Sequence, residues 1–316
     1  MRVRARTTDY HTAGEPFRIV TEGAPEPAGR RILEKRRWAL EHLDDLRRFL
    51  VNEPRGHADM YGCFVTEPED DEADLGVLFF HNAGFSTACG HGTIALVTWA
   101  LESGRLTLRE GVNEVVVDAP SGRLPTWATV RAGRVESVRF RNVPAFVLRR
   151  GVRAAGLQVD VAFGGAFYAI APAGVSVEEL PALIERAREV KAELDAASWV
   201  VHPLEPELRD VYGVIWTDGD RNVTVFADGE VDRSPCGSGT SARLALLDLT
   251  GELPRGEVFR HRGIVGTVFA GRVVEGCKVA GMPAVVTEIE GSAHLTGRHE
   301  FVLQPEDPLP TGFLLR

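Results

Sequence analysis

Two stretches of this 316-residue chain are near copies of each other: Cys89-Gly90-His91-Gly92-Thr93-Ile94-Ala95 and Cys236-Gly237-Ser238-Gly239-Thr240-Ser241-Ala242. Each begins with a cysteine, continues as Gly-x-Gly-Thr and runs into a segment of helical composition. Fifteen residues beyond each cysteine the echo returns, as Gly104-Arg105-Leu106 and Gly251-Glu252-Leu253. The repeat predicts two similar halves, each delivering a cysteine to the start of a helix.

The surrounding patterns support this division. Upstream of Cys89, strand-like residues 3–22 turn at Thr12-Ala13-Gly14-Glu15-Pro16. Residues 28–51 read as one helix carrying Leu33, Trp38, Leu43, Leu46 and Leu50. Strands at 61–65 and 76–81 flank an acidic loop, and residues 82–88 deliver the cysteine. Upstream of Cys236, Gly164-Gly165 interrupts strand-like residues 159–170, and a helix over 177–196 holds Glu178-Glu179 in its first turn. Strands at 212–217 and 222–227 follow, then a loop over 231–235. Helices over 93–102 and 238–249 come next in the two halves, each closed by a glycine. Short strands fill the rest of each half, at 114–118, 122–129, 135–139 and 145–148, and at 264–269, 272–279, 284–289 and 293–303. The expected fold class is α+β, built as two pseudo-symmetric α/β domains. Their edge is expected near 145–155, where Pro144 and Arg149-Arg150-Gly151 break the pattern, giving domains 1–150 and 151–289.

Composition narrows the class. A hydrophobic share of 44% against 26% charged is that of a globular protein with a sizeable core. The net charge of −9, with no compensating basic tract, argues against a nucleic-acid or anionic-membrane partner. Arg30, Arg31, Lys35, Arg36 and Arg37 read as the solvated face of a helix. No run of eighteen apolar residues suggests a membrane span, and Met1–Arg6 shows no secretory core region. Four cysteines without a CxxC pair suggest neither a disulfide framework nor structural zinc. A cytoplasmic enzyme with reduced thiols is the expectation.

A cysteine before Gly-x-Gly-Thr at a helix start is placed for chemistry. The positive end of the helix stabilises a thiolate or a bound carboxylate, and is expected to draw the thiol below its free pKa of about 8.5. Two such cysteines in matched contexts fit racemisation, in which one removes a proton and the other supplies one, the roles exchanging on reversal. Cys63, in an apolar strand, and Cys277 suit the plain role of small buried hydrophobes. A disulfide between Cys89 and Cys236 does not fit the compartment, and zinc on Cys89, His91 and Cys236 matches no usual ligand spacing. His91 and Asp232 are read as polar partners of a substrate amine, and Arg233 and Ser234 as residues that fix the loop. Glu15 suits either a structural role or closure of the pocket.

The segments Asp9–Pro16, Ala88–Thr93 and Asp232–Thr240 resemble the signatures of the proline racemase family, and the resemblance spans essentially the whole chain. It implies a diaminopimelate epimerase-like fold: a sheet wrapped around a central helix in each domain, a cleft between the domains, and residues 290–316 returning to the first. It also implies catalysis without pyridoxal phosphate or metal, a small-molecule substrate, and a homodimer. Carried over by position, Cys89 and Cys236 match the acid/base pair. Gly90, His91, Gly237 and Ser238 match groups holding the substrate carboxylate and amine, and Asp232 matches the residue binding the amine. Phe226 and Phe79 match aromatic walls against the ring. Residues 54–62 and 81–86 look most like the trans-3-hydroxy-L-proline dehydratases, which usually carry threonine in place of Cys236. A dehydratase needs one base and no second thiol, so Cys236 implies a racemase or epimerase. Apolar walls favour proline over a hydroxylated ring. Dehydration of trans-3-hydroxy-L-proline and 2-epimerisation of 4-hydroxyproline are the alternatives. An amino-acid-binding protein on the same fold would leave the paired cysteines unused, and a cysteine hydrolase has no role for the second.

Overall fold

The computed structural model describes residues 3–315, so Met1, Arg2 and Arg316 at the ends of the expected first domain lie outside the described residues. The chain divides into two compact units, Met1–Val138 with Ser292–Arg316, and Arg139–Gly291.

In the first unit, β1 (Val3–Thr12) turns into the antiparallel β2 (Glu15–Glu22). Helices α1 (Ile32–His42) and α2 (Asp44–Val51) then cross to β3 (Tyr61–Thr66), parallel to β2. Next, β4 (Leu75–His81) pairs antiparallel with β3, and the short β5 (Gly84–Phe85) folds back on β4. Helix α3 (Gly90–Glu102) crosses to β6 (Gly111–Ala119), parallel to β4, and β7 (Gly122–Arg131) pairs with β6. The chain leaves this unit within β8 (Arg134–Arg141).

The second unit repeats the plan. Strands β9 (Phe146–Ala154), β10 (Leu157–Phe163) and β11 (Phe167–Pro172) pair in antiparallel succession. Helix α4 (Leu180–Ala196) crosses to β12 (Val211–Asp218), parallel to β11, and β13 (Arg221–Phe226) pairs antiparallel with β12. The short β14 (Glu230–Asp232) folds back on β13. Helix α5 (Gly237–Thr250) then crosses to β15 (Phe259–Arg262), parallel to β13, and β16 (Val268–Val279) and β17 (Met282–Gly291) follow antiparallel. Finally β18 (Ala293–Val302) pairs antiparallel with β1, so it fills the place beside β1 that β9 fills beside β10. Each of the parallel pairs β2–β3, β4–β6, β11–β12 and β13–β15 is bridged by helix, as crossover geometry requires.

Alternation along the strands sets the layers of the first unit. Val20, Phe64, Leu78 and Phe80 join Leu46, Phe49 and Leu50 of α2 in one core. The alternate residues Phe17 and Tyr61 instead meet His91 of α3. Every residue of α3 from Gly90 to Leu101 is buried, and the helix packs against β1, β2, β3, β7 and β18. A helix apolar on all sides is a central helix enclosed by its sheet. In the second unit α5 holds the same place among β9, β10, β11, β16 and β17. No helix among the described residues is long and apolar enough to cross a membrane.

Several local expectations change. Helix 28–51 is two helices, broken at Leu43 (φ −114°, ψ 0°). At about 100° per residue, the five-residue steps from Leu33 to Trp38 to Leu43 rotate off any single face, and the break restores alignment for Leu46 and Leu50. Helix α4 starts at Leu180 with Pro181 in its first turn, leaving Glu178 and Glu179 ahead of the helix. Of the strand expected over 264–269 only 268–269 are strand, as the start of β16; residues 263–267 turn after β15, where Gly266 has φ 84° and its N–H bonds to the Gly263 carbonyl at 3.0 Å. Residues 145–155 lie within β9 and its turn rather than at the edge between units. There a bulge takes up Gly151, whose N–H donates to Asp160 Oδ1 at 2.8 Å. The basic helix face is also only partly solvated, because Lys35 is buried and donates to Glu26, Thr66 and the Glu67 carbonyl.

Candidate active site

In the first unit, β5 and the loop after it bring the chain to Cys89, the N-cap of α3 in extended conformation (φ −154°, ψ 99°). Its sulfur accepts from the Gly92 N–H at 3.3 Å and lies 3.4 Å from His91 Nε2 and 3.6 Å from Nδ1. The His91 ring is set by the edge-on rings of Phe17 and Tyr61, and its carbonyl accepts from the Thr12 hydroxyl at 2.9 Å. The Cys89 thiol thus sits at a helix N-terminus between a backbone N–H and an imidazole. Phe79 is fully buried and packs edge-on against Phe17. Glu15 is fully buried at the start of β2.

The second glycine of each motif serves the cysteine directly. A Cβ on Gly92 would stand 2.4 Å from a Phe17 ring carbon and 2.7 Å from the Cys89 sulfur. On Gly239 it would stand 2.9 Å from the Cys236 sulfur and 2.9 Å from Ile215. Gly92→Ala is therefore expected to be net destabilising in urea melts. Overpacking costs about 1–3 kcal/mol and outweighs the roughly 1 kcal/mol by which helices favour alanine.

In the second unit, β14 ends at Asp232, whose Oδ1 accepts from the Ser234 N–H at 2.8 Å, while Ser234 Oγ accepts from the Cys236 N–H at 3.1 Å. Arg233 donates to the Val231 carbonyl at 3.3 Å, so Arg233 and Ser234 both brace the loop. Cys236 itself is held at φ 64°, ψ 106°, a conformation costing a non-glycine residue on the order of 1–3 kcal/mol. Its thiol lies 3.7 Å from the hydroxyl of Tyr168, which is also 2.7 Å from Ser238 Oγ. Phe226 stacks on Tyr212, and Tyr212 meets Tyr168 edge-on.

Burial and the nearby Asp232 push the Cys236 thiol up to about 12, outweighing Tyr168, the Gly239 N–H and Thr224. The helix-start setting therefore does not lower this thiol as the motif suggests, and Cys236 is protonated at neutral pH. Burial also raises Asp232 to about 6, against the hydrogen bonds from Ser234 and Cys236. The half-sites are thus chemically unequal: both thiols are buried beside a backbone N–H, but the further neighbour of Cys89 is the His91 imidazole and those of Cys236 are Asp232 and the Tyr168 hydroxyl. Cys63 is fully buried, whereas Cys277 is half-exposed on β16 rather than buried. Among the described residues, no group of three or more His, Cys, Asp or Glu is arranged to hold a metal ion.

Tyr168 was not evident from the sequence. Its signal is positional: in β11 it stands where β2 places Phe17, next to the second residue after the motif cysteine (Ser238 and His91). Both strands lead into a crossover helix.

A family model for proline racemase matches residues 7–314. The chain belongs to the proline racemase family. It is therefore an enzyme, and its diaminopimelate epimerase-like α+β fold is that of solved structures of a probable proline racemase and a hydroxyproline epimerase, shared with a PhzF-family protein. A trans-3-hydroxy-L-proline dehydratase of Bacillus cereus is 45% identical, over 98% of this chain and 97% of that protein. A 3-hydroxyproline 2-epimerase of Burkholderia multivorans is also 45% identical, over 98% of each. The crystal structure of a hydroxyproline epimerase from Agrobacterium vitis, with bound trans-4-hydroxy-L-proline, has a TM-score of 0.91 at 30% identity, covering 98% of this chain and 95% of that one. Within the proline racemase family, reaction and ring substituent therefore vary at similar distance from this sequence.

Proposed function

We propose that this protein is a cofactor-independent 2-epimerase of hydroxyproline, with Cys89 and Cys236 as the exchanging acid/base pair. The observation that carries the reading is Cys236 itself, a protonated thiol at the start of α5, matched by a second thiol beside a histidine at the start of α3. Cys89 takes the α-proton as base, and the Cys236 S–H delivers one to the carbanion; the reverse reaction exchanges the roles. Asp232 and His91 receive the substrate amine, while Ser238 with the N–H groups of Gly90 and Gly237 receives the carboxylate. The buried rings Phe79 and Phe226 favour an unsubstituted proline ring. Against them, Tyr168, Ser238, Tyr61 and Ser86 supply hydroxyls next to the motif residues, so a ring hydroxyl has partners.

Dehydration of trans-3-hydroxy-L-proline is the second reading, favoured by the relatives that carry that name. Proton NMR in deuterated water separates the two. An epimerase loses the α-proton signal of L- and D-hydroxyproline and gains epimer signals; a dehydratase gives the cyclic imine without epimer. Epimerisation of proline with no turnover of any hydroxyproline would overturn the substrate assignment.

A further inference from the structure

Beneath Cys236 runs a buried polar chain that shares only its last link with Cys89. Arg243 Nη1 lies 3.3 Å from His261 Nε2, His261 Nδ1 lies 2.8 Å from Thr240 Oγ1, and Thr240 Oγ1 lies 2.6 Å from the Cys236 carbonyl oxygen. The donor directions follow from chemistry. A guanidinium can only donate, so Nε2 accepts and the imidazole proton sits on Nδ1. Nδ1 then donates to Thr240, whose own proton is left for the Cys236 carbonyl. Arg243 is anchored in turn by its bond to the Gly219 carbonyl. His261 is fully buried, and both burial and Arg243 hold it well below the ordinary imidazole pKa, consistent with a neutral ring in this order.

In the first unit Thr93 also donates to the Cys89 carbonyl, at 2.9 Å. Seven residues beyond Cys89, however, stands Leu96 where Arg243 stands beyond Cys236, and β6 (Gly111–Ala119), the counterpart of β15, contains no histidine. The half with the relay is also the half whose cysteine is strained, at φ 64° against −154°.

We infer that Arg243, His261 and Thr240 form a positioning relay that pins the backbone of Cys236 and so aims its thiol. The relay extends the proposed function, since it rests on Cys236 being one of the two acid/base groups. Its members act through Cys236 and touch no substrate.

The test pairs Thr240→Val, which is isosteric and removes the hydroxyl, with Thr240→Ser, which keeps it. With hydroxyproline as substrate, Thr240→Val is expected to lower kcat about tenfold or more with KM within about threefold, and Thr240→Ser to stay near wild type. A second readout needs no turnover. In a Cys89→Ser background, iodoacetamide labelling of the Cys236 peptide at pH 8, followed by mass spectrometry, is expected to be about fivefold faster in Thr240→Val, because the released thiol leaves its buried setting. If Thr240→Val does not fold, His261→Asn (which keeps a donor toward Thr240) is expected to hold both values where His261→Leu loses them. Labelling and kcat unchanged in folded Thr240→Val, or equally altered in Thr240→Ser, would overturn the relay. A wild-type enzyme inactive on every proline isomer, with the labelling contrast intact, would instead overturn the proposed function and leave the relay standing.

Discussion

Cys236→Ser is expected to abolish epimerisation while α-proton exchange survives on one enantiomer. A serine hydroxyl is a far weaker acid than a thiol, so the carbanion loses its proton donor on that side, at a cost of about a thousandfold or more in kcat. Cys89, with His91 and the Gly92 N–H beside it, is untouched by this change. It can still remove the α-proton of the enantiomer it faces, exchange it with solvent and return it. In deuterated water, proton NMR should then show one enantiomer losing its α-proton signal without forming the other, whereas Cys89→Ser, left with the thiol that burial and Asp232 keep protonated, should show much slower exchange on the opposite enantiomer. Epimerisation by Cys236→Ser within tenfold of wild type would refute the paired mechanism. The same variant bears on dehydration, which needs one base: persistent imine formation from trans-3-hydroxy-L-proline would mark Cys236 as dispensable there.

The duplicated cysteine motif made the α+β class and the placing of Cys89 and Cys236 at two helix starts legible, because glycine spacing and helix starts are local in sequence. What was hidden depends on contacts across the fold. Lys35 looked like one more solvated cation, yet Glu26, Thr66 and Glu67 converge on it from elsewhere in the chain. His261 and Arg243 lie 18 residues apart on separate elements, and neither belongs to a motif. Tyr168 becomes visible only when β11 is set beside β2, strands whose sequences share little. The acidity of Cys236 was misread for the same reason: the helix start was legible, but burial and the proximity of Asp232, which dominate, were not.

Asp232→Asn is expected to weaken substrate binding and to stabilise the free enzyme, and pH divides the two effects. In the folded protein Asp232 titrates near 6, above its unfolded value of about 3.9. Between those values the unfolded chain holds fewer protons than the folded one, so this residue's contribution to stability falls as pH rises and is lowest above about 6. A shift of about two units corresponds to on the order of 2–3 kcal/mol. Asparagine keeps an oxygen for the Ser234 N–H and carries no charge to bury. Urea unfolding should therefore find the variant more stable by about that amount at pH 7 and nearly equal to wild type at pH 4. The charge that costs stability is what an ammonium group would use, so KM at pH 7 should rise about 10- to 100-fold, as for loss of a charged hydrogen bond. Substrate protection against unfolding, strong in wild type at pH 7, should be largely lost in the variant. An equal stability difference at both pH values would remove the buried charge from this account, and an unchanged KM would remove Asp232 from the amine site.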